Sequence, residues 1–372
     1  MKKYTYIKII PLLILISCAT VETQNNNIVI SDEPKEIDVS VKTDENKLFV
    51  EYLENDWKNN LKDNPLFASY TGDKSLNDKI NSNSIEQFIK DKKSDQNSLY
   101  LLEQFEILKL SKENQLNYKL KEFGLRNSVN AAEFPTYYLR LNQRGGIQSF
   151  YETGNRLVYT TKKDYYDWYK RLEQFVDNID NSLIINKEGL AKGHTQPKLV
   201  TKGVIAQLNA IIESDIDSNP YLKVFKEADE SIIDIDDKNK LIDDAILLIE
   251  NKINPAYKRL HDFLLNDYLP NSRDSIGIKD IPNGKKYYEY LAKYYTTTNL
   301  TPDEIHTIGL NEIDRIRSEM EQIIKDVDWD GDFLSFLNYL RTSPRFYYDN
   351  SEDLFNAYLI MSKTIDPLLP KI

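Results

Sequence analysis

The sequence is poor in the residues that build disulfide frameworks and many metal sites. Its 372 residues include one cysteine, three histidines and twelve glycines. One cysteine excludes a disulfide framework and a cysteine zinc knuckle, and three histidines leave few imidazoles for a metal. The net charge of −11 argues against the basic face that nucleic-acid binding requires, so nucleic acid is not an expected partner.

What is present is typical of a large helical protein. Hydrophobic residues make up 41% and charged residues 29% of the chain, which is ordinary for a globular protein with a real core. Apolar residues recur at helical spacing over much of residues 48–372. We therefore predict a mostly α fold, a multi-helix bundle with one small extended or hairpin element.

The N-terminus has the pattern of an export signal. Lys2 and Lys3 precede an apolar run, Ile9 to Ile16, that is too short to cross a bilayer. The residues from Leu15 to Cys18 resemble a bacterial lipobox, which implies a signal peptide over residues 1–18 and a lipid on Cys18. This predicts export to the cell envelope and a membrane, outer or cytoplasmic, as a partner. The alternative is a secretory signal with a coincidental cysteine.

Proline, glycine and helix-capping residues predict where the following segments begin and end. Residues 19–47 are polar and acidic without helical period, as in a flexible tether. A helix that includes Phe49 is expected to end at Asn64–Pro65, and another to stop at Gly124. A further amphipathic helix begins near Asp164. Asn254–Pro255 predicts a kink in a long helix, which Leu269–Pro270 is expected to end.

The period changes between Glu133 and Phe150. The glycine pair Gly145–Gly146 predicts extended chain on both sides, with close approach of the backbone to a strand or a ligand. One hypothesis is that this segment borders a substrate cleft, and the alternative is an ordinary hairpin. The candidate cleft-wall residues here are Arg144, Gly145, Gly146 and Gln148.

The stretch from Gly284 to Met320 holds the clearest local signals. Thr301-Pro302-Asp303-Glu304 is a capping box that starts a helix, and the isoleucines that follow predict one buried stripe. The preceding tyrosine run is too aromatic for a solvent face and too polar for a core, which indicates the wall of a groove. The candidate residues are Tyr287, Tyr288, Tyr294 and Tyr295.

Three segments together resemble one known family. YYEYLAKYYTTTNLTPDEIHTIGLNEIDRIRSEM resembles the signature of the bacterial domain-of-unknown-function 885 family, and PLFASYTGD and NQRGGIQSF resemble two of its other segments. The resemblance runs from about Phe49 to the last residue. It implies an exported helical protein similar to zinc peptidases.

The resemblance also implies that a part is missing. Members carry their zinc site, a His-Glu followed by Pro-Gly-His, downstream of anything present here. We therefore expect the N-terminal part of a family member, truncated before the zinc-bearing region. Zinc is expected only in complete members, so this chain is expected to have no cofactor and no catalytic or metal-binding residue. A separately encoded chain would have to supply the C-terminal half, and a peptide would be a substrate only once it did.

Isolated histidines agree with that expectation. A gluzincin peptidase holds zinc with two histidines one helical turn apart and a glutamate between them. His194, His261 and His306 each stand alone. We expect His194 at the surface or at a helix cap, and the other two as packing or surface residues.

An acidic segment imitates half of a calcium loop. Carboxylates alternate from Asp326 to Asp332, but Leu337 stands where a bidentate glutamate should close the shell. We expect an acidic turn that caps the helix from Phe333 to Leu340, with a calcium site as the alternative.

Together these patterns predict a lipid-anchored envelope protein that resembles a zinc peptidase but is inactive alone. The alternative, from another functional class, is a non-catalytic helical surface lipoprotein that binds a host or envelope partner.

Overall fold

The computed structural model describes residues 44–371. The predicted signal peptide, Cys18 and tether residues 19–43 lie outside the described residues. The first helix begins at Glu45, two residues before the predicted end of the tether at residue 47, because the Asp44 carboxylate accepts a hydrogen bond from the Asn46 N–H at 3.0 Å and caps it.

The prediction of a mostly α fold is confirmed. The described residues contain no β-strand, and their two isolated bridges join Asn142 to Gly145 and Pro197 to Arg273. The α-helices are α1 (Glu45–Asp63), α2 (Pro65–Tyr70), α3 (Ile85–Leu102), α4 (Lys112–Ala131), α5 (Tyr151–Arg156), α6 (Lys162–Ala191), α7 (Lys198–Ile212), α8 (Lys223–Lys226), α9 (Ile235–Leu248), α10 (Asn254–Phe263), α11 (Leu269–Asn271), α12 (Gly284–Thr296), α13 (Pro302–Asp326), α14 (Phe333–Thr342) and α15 (Ser351–Ile365).

Short 3₁₀ and π segments join these helices. The 3₁₀ segments are Ile107–Lys109, Thr136–Leu139, Ile147–Ser149, Ile216–Ser218, Ile278–Asp280, Pro344–Phe346 and Asp366–Lys371, and the π segments are Ile249–Ile253 and Leu264–Tyr268. The chain divides into two compact units, with the boundary between Tyr290 and Leu291 inside α12. None of the described helices is long and apolar enough to cross a membrane.

Helix α6 is the centre of the main core of the first unit. Its buried residues Trp168, Leu172, Phe175 and Ile179 recur every three or four positions, so they share one face. That face packs into a cluster that includes residues of α7, α9 and α10. The sequence prediction of an amphipathic helix here is confirmed. A smaller core lies among α1, α3 and α4 around Phe49, Leu102 and Tyr118.

Both ends of α6 have recognisable caps. At the start, the Asp164 carboxylate accepts hydrogen bonds from the N–H groups of Thr160 and Thr161, at 2.8 and 2.9 Å. At the end, Gly193 has φ +74°, and the N–H of His194 donates to the Gly189 carbonyl at 2.8 Å. Glycine adopts this left-handed conformation without the steric cost of a Cβ, and so it ends the helix.

The two predicted proline breaks take a form that the sequence did not indicate. A π-helical turn precedes each proline: the N–H of Asn254 donates to the Ile249 carbonyl, and that of Leu269 to the Leu264 carbonyl. A proline lacks an N–H and its ring crowds the carbonyl four residues earlier, and a wider turn relieves both problems. The helical path therefore continues through Pro270 and ends at Asn271, one residue after the predicted end at Leu269–Pro270.

Two local predictions are wrong. Gly124 lies inside α4, which continues to Ala131 because the buried Leu125 keeps its second half packed. The segment from Glu133 to Phe150 is not extended but forms two 3₁₀ turns joined by a tight turn. The Asn142–Gly145 bridge is all that it contains of a hairpin.

In the second unit the capping signals are confirmed. The Glu304 N–H donates to the Thr301 Oγ1 at 3.2 Å, and the Thr301 N–H donates to the Glu304 carboxylate at 2.8 Å. The Asp332 carboxylate accepts from the Ser335 N–H at 2.7 Å and caps α14, as the acidic turn predicted. The buried stripe of α13 is a wrong prediction, because most of its isoleucines are exposed: Ile308, Ile313, Ile316 and Ile323.

Candidate functional site

A cleft of about 210 Å³ opens in the first unit. This is smaller than the roughly 300–1,000 Å³ of pockets that take drug-sized ligands. Its walls come from the segment before α3, from α3, from the 3₁₀ segments with the tight turn between them, and from α6. The lining residues are Asn83, Phe88, Tyr137, Arg140, Leu141, Gly146, Ile147, Phe150, Ser182, Ile185 and Asn186.

Two asparagines with buried amide oxygens are among the lining residues of this cleft. Asn186 is 3% exposed, and its Nδ2 donates to the Ser182 carbonyl at 2.8 Å. Asn83 is held by its Nδ2, which donates to the Asn178 carbonyl and to the Ser182 Oγ, both at 3.0 Å. Among the described residues, neither Oδ1 atom has a hydrogen-bond partner. Both oxygens are almost completely shielded from solvent, so a molecule in the cleft does not reach them in this structure.

An arginine and two aromatic rings form one edge of the cleft. The Phe88 and Tyr137 rings stack with centroids 5.0 Å apart, and the Arg140 guanidinium lies 4.2 Å from the Phe88 centroid. This is cation–π geometry. Burial of the guanidinium lowers the pKa of Arg140, and the charge of Asp91 opposes that effect. Arg140 is nevertheless exposed overall, so solvent still reaches this residue.

Gly146 shapes the adjoining wall. It has φ +151°, and a Cβ at this position would lie 2.6 Å from the Gln148 Oε1. Gln148 is buried, and its Nε2 donates to the Asn142 carbonyl at 2.8 Å and to the Gln207 Oε1 at 3.0 Å. A larger residue at 146 would therefore strain the backbone and displace the amide that fixes the turn.

A second polar cluster surrounds Tyr138, which is buried. Its hydroxyl donates to the Glu188 carboxylate at 2.6 Å, and the Lys192 ammonium donates to the Tyr138 oxygen at 2.9 Å. The hydrogen bonds from Lys192 and from the tyrosine lower the pKa of Glu188. All three groups thus satisfy one another, which is the arrangement of a structural network.

His194 lies against this cluster with its ring centroid 5.4 Å from that of Tyr138. It is 8% exposed, and its N–H makes the bond that caps the end of α6, so the structure matches the predicted cap position and not the surface position. Burial lowers the pKa of His194, which favours the neutral ring, although a backbone hydrogen bond opposes this. Beside it, a small hollow lined by Phe134, Ile281 and Tyr287 holds only about 10 Å³.

The other two histidines have ordinary surroundings. His261 is buried in α10, as expected of a packing residue, and its Nδ1 lies 3.1 Å from the Asp262 carboxylate. His306 is exposed on α13 of the second unit. Within residues 44–371, no three His, Cys, Asp or Glu side chains are grouped closely enough to hold a metal ion.

Comparison with family models identifies the chain. A model described as "Bacterial protein of unknown function (DUF885)" matches residues 65–372. The chain belongs to the DUF885 family. The match covers most of the chain and does not by itself support the expectation that only the N-terminal part of a member is present.

A solved structure has a similar fold. The crystal structure of the "putative lipoprotein from Colwellia psychrerythraea" superposes on this DUF885 chain with a TM-score of 0.72 at 21% identity. The similarity covers 87% of this chain and 60% of that one, so this chain spans about three-fifths of the length of its structural relative. At this identity the likeness shows the fold alone. No curated relative matches this chain.

The structure separates the candidate cleft-wall residues of the DUF885 chain. Gly146 lines the cleft, and Gln148 lies buried behind it. Arg144 and Gly145 lie on the tight turn outside the cleft lining, and Arg144 is exposed.

The tyrosines of α12 do not line this cleft. Tyr287 packs on Phe134 at a centroid distance of 5.1 Å and borders the small hollow instead. Tyr288 is half exposed. Tyr294 and Tyr295 belong to the second unit, where their rings contact each other at 5.0 Å.

Sequence reasoning missed the polar residues of the cleft. Asn178, Ser182 and Asn186 recur every four residues on α6, and all three are buried. A polar row at helical spacing beside an apolar face was the available signal. Arg140 carried no comparable signal, since its role depends on Phe88 from a separate helix.

Proposed function

We propose that this DUF885 protein is an envelope protein, anchored by a lipid on Cys18, that holds a small ligand in the cleft of its first unit without hydrolysing it. The observation that carries this proposal is the cleft of about 210 Å³, which has mostly apolar walls and the Arg140 guanidinium at its edge on the Phe88 ring. A cleft with a few convergent polar groups and an arginine of lowered pKa is a reasonable ligand site.

The lack of hydrolysis follows from the proposed roles of the histidines. His194 packs on Tyr138, His261 contacts Asp262, and His306 is solvent-exposed in the second unit. None is followed by the glutamate and second histidine that activate a zinc-bound water. We propose that this chain resembles the zinc-peptidase members of its family but supplies no zinc ligands itself.

The test is elemental analysis and a peptidase assay on the detergent-extracted, full-length chain. The expected result is less than stoichiometric zinc after dialysis against a zinc buffer and no cleavage of a mixed peptide library. Stoichiometric zinc together with cleavage would show that the proposal is wrong. A His261→Gln variant, which removes one imidazole from the core, then tells whether any residual zinc uses that residue.

Lipid attachment is supported by the lipobox-like sequence and by a structural relative described as a putative lipoprotein. The expected result of Cys18→Ser is loss of labelling by a radioactive fatty acid and release from the membrane fraction. A Ser17→Ala variant, which keeps a small residue before the cysteine, serves as the matched control and should remain labelled. Equal labelling of wild type and the Cys18→Ser variant would contradict the anchor.

A second candidate function is partner binding by the second unit. It is favoured by the exposed apolar stripe on α13, since large exposed apolar patches mark interaction surfaces. Substitutions distinguish this candidate from the first. Partner binding requires Ile313 and Ile316, whereas ligand binding requires Phe88 and Arg140 at the cleft edge.

A further inference from the structure

We propose that helix α13 pairs side by side, in parallel and in register, with α13 of a second copy of this chain. The surface that pairs is a row of four apolar residues on this helix, which we call the α13 seam: Ile313, Ile316, Met320 and Ile323. This inference rests on the second candidate function, partner binding by the second unit, and it names the partner.

The α13 seam has the spacing by which two helices pair. Its residues follow one another at intervals of three, four and three positions. The apolar positions of a coiled-coil heptad alternate in the same way, and so they form one stripe that faces the partner helix. Ile313, Ile316 and Ile323 are 63%, 46% and 53% exposed, so this stripe lies at the surface of the chain.

The second unit offers the seam little cover of its own. Among its described residues, 291–371, Ile324 alone is buried. Helices in proteins obtain most of their stability from packing of an apolar face. The seam is an apolar face of this kind that remains accessible to another molecule.

The charges beside the seam favour a second copy in the parallel orientation. Glu312 and Glu319 lie on one flank of the seam, and Arg317 lies on the other. In a parallel pair, Glu312 of one copy lies beside Arg317 of the partner subunit, five positions further along, and this attraction occurs twice. An antiparallel pair brings equal flanks together, so that glutamate faces glutamate and arginine faces arginine. Complementary charges of this kind set the orientation of an interface.

These charges are within reach of a partner. The Glu312 and Arg317 side chains are each 50% exposed. Their present partners are on the same helix: Glu312 pairs with Arg315, and Arg317 with Glu321, both at 2.7 Å. Exposed pairs of this kind contribute little to stability, so a second copy competes for them at small cost.

Two other arrangements are less favoured by the same residues. Leu354, Tyr358 and Met361 of α15 repeat the spacing, but the residues beside them, such as Phe355 and Ser362, carry no charge that would set an orientation. A helix that lies on a membrane surface typically has lysine and arginine on its polar face. The α13 seam has glutamates on one flank instead, which favours a protein partner over a lipid surface.

The first experiment is disulfide cross-linking of the full-length Cys18→Ser chain, in which an introduced cysteine is the only thiol. The protein is purified without detergent, so that no detergent covers the seam. Ile316→Cys and Ile323→Cys, made separately, should each give a covalent dimer on a non-reducing gel, because each residue meets its own counterpart in a parallel pair. Ser318→Cys is the matched control: it is exposed on the opposite side of α13 and should remain monomeric.

The pattern of cross-links decides the orientation. An antiparallel pair brings at most one of the positions 316 and 323 next to its counterpart. Cross-linking at only one of them, at neither, or equally at position 318 overturns the inference.

The second experiment exchanges the flanking charges and measures the dimer dissociation constant by sedimentation equilibrium. Glu312→Arg or Arg317→Glu alone places like charges together at two sites and should weaken the dimer by about tenfold. The double variant restores the attraction with the signs exchanged and should recover the affinity. Asp314→Arg changes the charge equally away from both flanks and should associate as the parent chain does. Failure of the double variant to recover contradicts the parallel pair.

Other occupants of the seam give different results. Binding of the Cys18→Ser chain to phosphatidylcholine and phosphatidylglycerol vesicles, lost in Ile316→Glu and without a dimer in solution, identifies a lipid surface and overturns the inference. A chain that stays monomeric and binds no vesicle also overturns it. Far-UV melting curves show whether each variant is folded. Ligand binding in the cleft of the first unit is measured with Phe88 and Arg140 variants, so failure of the dimer leaves that proposed function untouched.

Discussion

Two asparagines two turns apart on α6 differ in what their amides contact. Asn178 donates to the Asn81 carbonyl at 2.9 Å and accepts the Asn83 N–H at 3.2 Å. The Oδ1 of Asn186 has no partner among the described residues. Removing the Asn178 amide leaves the Asn81 carbonyl and the Asn83 N–H without this partner. Removing the Asn186 amide also removes an oxygen that had no partner, so the two losses should differ.

Asn178→Leu should therefore destabilise the protein by about 2 kcal/mol, and Asn186→Leu should lie within about 0.5 kcal/mol of wild type. Urea unfolding followed by circular dichroism measures both. Equal losses in the two variants would mean that the Asn186 amide is as important to the fold as the Asn178 amide.

The carboxylate of Asp164 makes the stability of the first unit depend on pH. Burial raises the pKa of Asp164, but the hydrogen bond from Lys74 and those from the N–H groups of Thr160 and Thr161 outweigh it and lower the pKa to about 2. The side chain is only 4% exposed, so solvent screens these contacts weakly. A group with a depressed folded-state pKa stabilises above its unfolded value, near 3.8, and the contribution is lost as pH falls towards 2.

Wild type should lose about 2 kcal/mol of stability between pH 4 and pH 2 that Asp164→Asn does not lose. The measurement is urea unfolding of both proteins at a series of pH values, compared as a difference so that other carboxylates cancel. Parallel curves for the two proteins would show that the pKa of Asp164 is the same in the unfolded and folded states.

At the scale of elements, Arg171 holds two parts of the first unit together. It lies on α6 and attaches residues 65–81, which begin with α2, to that helix. It is fully buried, and its guanidinium donates to the Lys79 carbonyl at 2.8 Å, the Ser69 Oγ at 2.7 Å and the Pro65 carbonyl at 3.2 Å. These bonds span about a hundred residues of sequence, so one side chain closes a long loop.

Arg171→Met should cost on the order of 3 kcal/mol and open residues 71–83 to protease before the rest of the unit unfolds. The matched variant is Arg259→Met, which breaks an ion pair to Asp180 of α6 whose partners are 50% and 41% exposed. Exposed pairs contribute about 1 kcal/mol or less. Mass spectrometry of early cleavage products distinguishes the two, and equal protection of residues 71–83 in both would contradict the role of Arg171.

Elements with local signals were predictable, and those that depend on distant contacts were not. The caps at Thr301 and Asp332 rest on groups within three residues, so the sequence contains the whole interaction. The glycine stop signal at Gly124 is overridden, because packing of Leu125 in the smaller core stabilises the helix beyond it. The glycine pair predicted a close approach to the backbone at Gly146. The group that approaches is the Gln148 side chain, and the sequence could not show this because Gln207 of the distant α7 fixes its position.

The same limit applies to the candidate site. The four tyrosines of α12 share a short stretch of sequence, yet the boundary between the two units falls among them. Residues of the cleft come from four separated segments between Asn83 and Asn186. Spacing along the chain cannot report such a convergence, since it depends on how α6 packs against α3 and the 3₁₀ segments.

At the scale of the whole molecule, the second unit exposes an unusual amount of apolar surface. Ile308, Ile313 and Ile316 of α13 are 48%, 63% and 46% exposed, and Phe355 and Ile360 of α15 are 61% and 69% exposed. Apolar patches of this kind promote association in water.

We expect the purified protein to self-associate in the micromolar range and Ile313→Glu to reduce that association. Light scattering at several concentrations is the measurement. Asn311→Glu introduces the same side chain at an exposed polar position of α13 and should scatter as wild type does. Equal scattering of the two variants would place the association elsewhere, for example at the proposed lipid anchor.

The π turns before Pro255 and Pro270 have a consequence for reading related sequences. A π turn is in effect an α-helix with one residue added, and its wider turn absorbs that residue, so later side chains keep their direction instead of rotating by about 100° around the axis. A homologue without a proline at 255 could delete one position from Ile249–Ile253 and still direct Tyr257 and Leu260 inwards. Alignments across this stretch should therefore be allowed a gap of a single column, placed inside a helix.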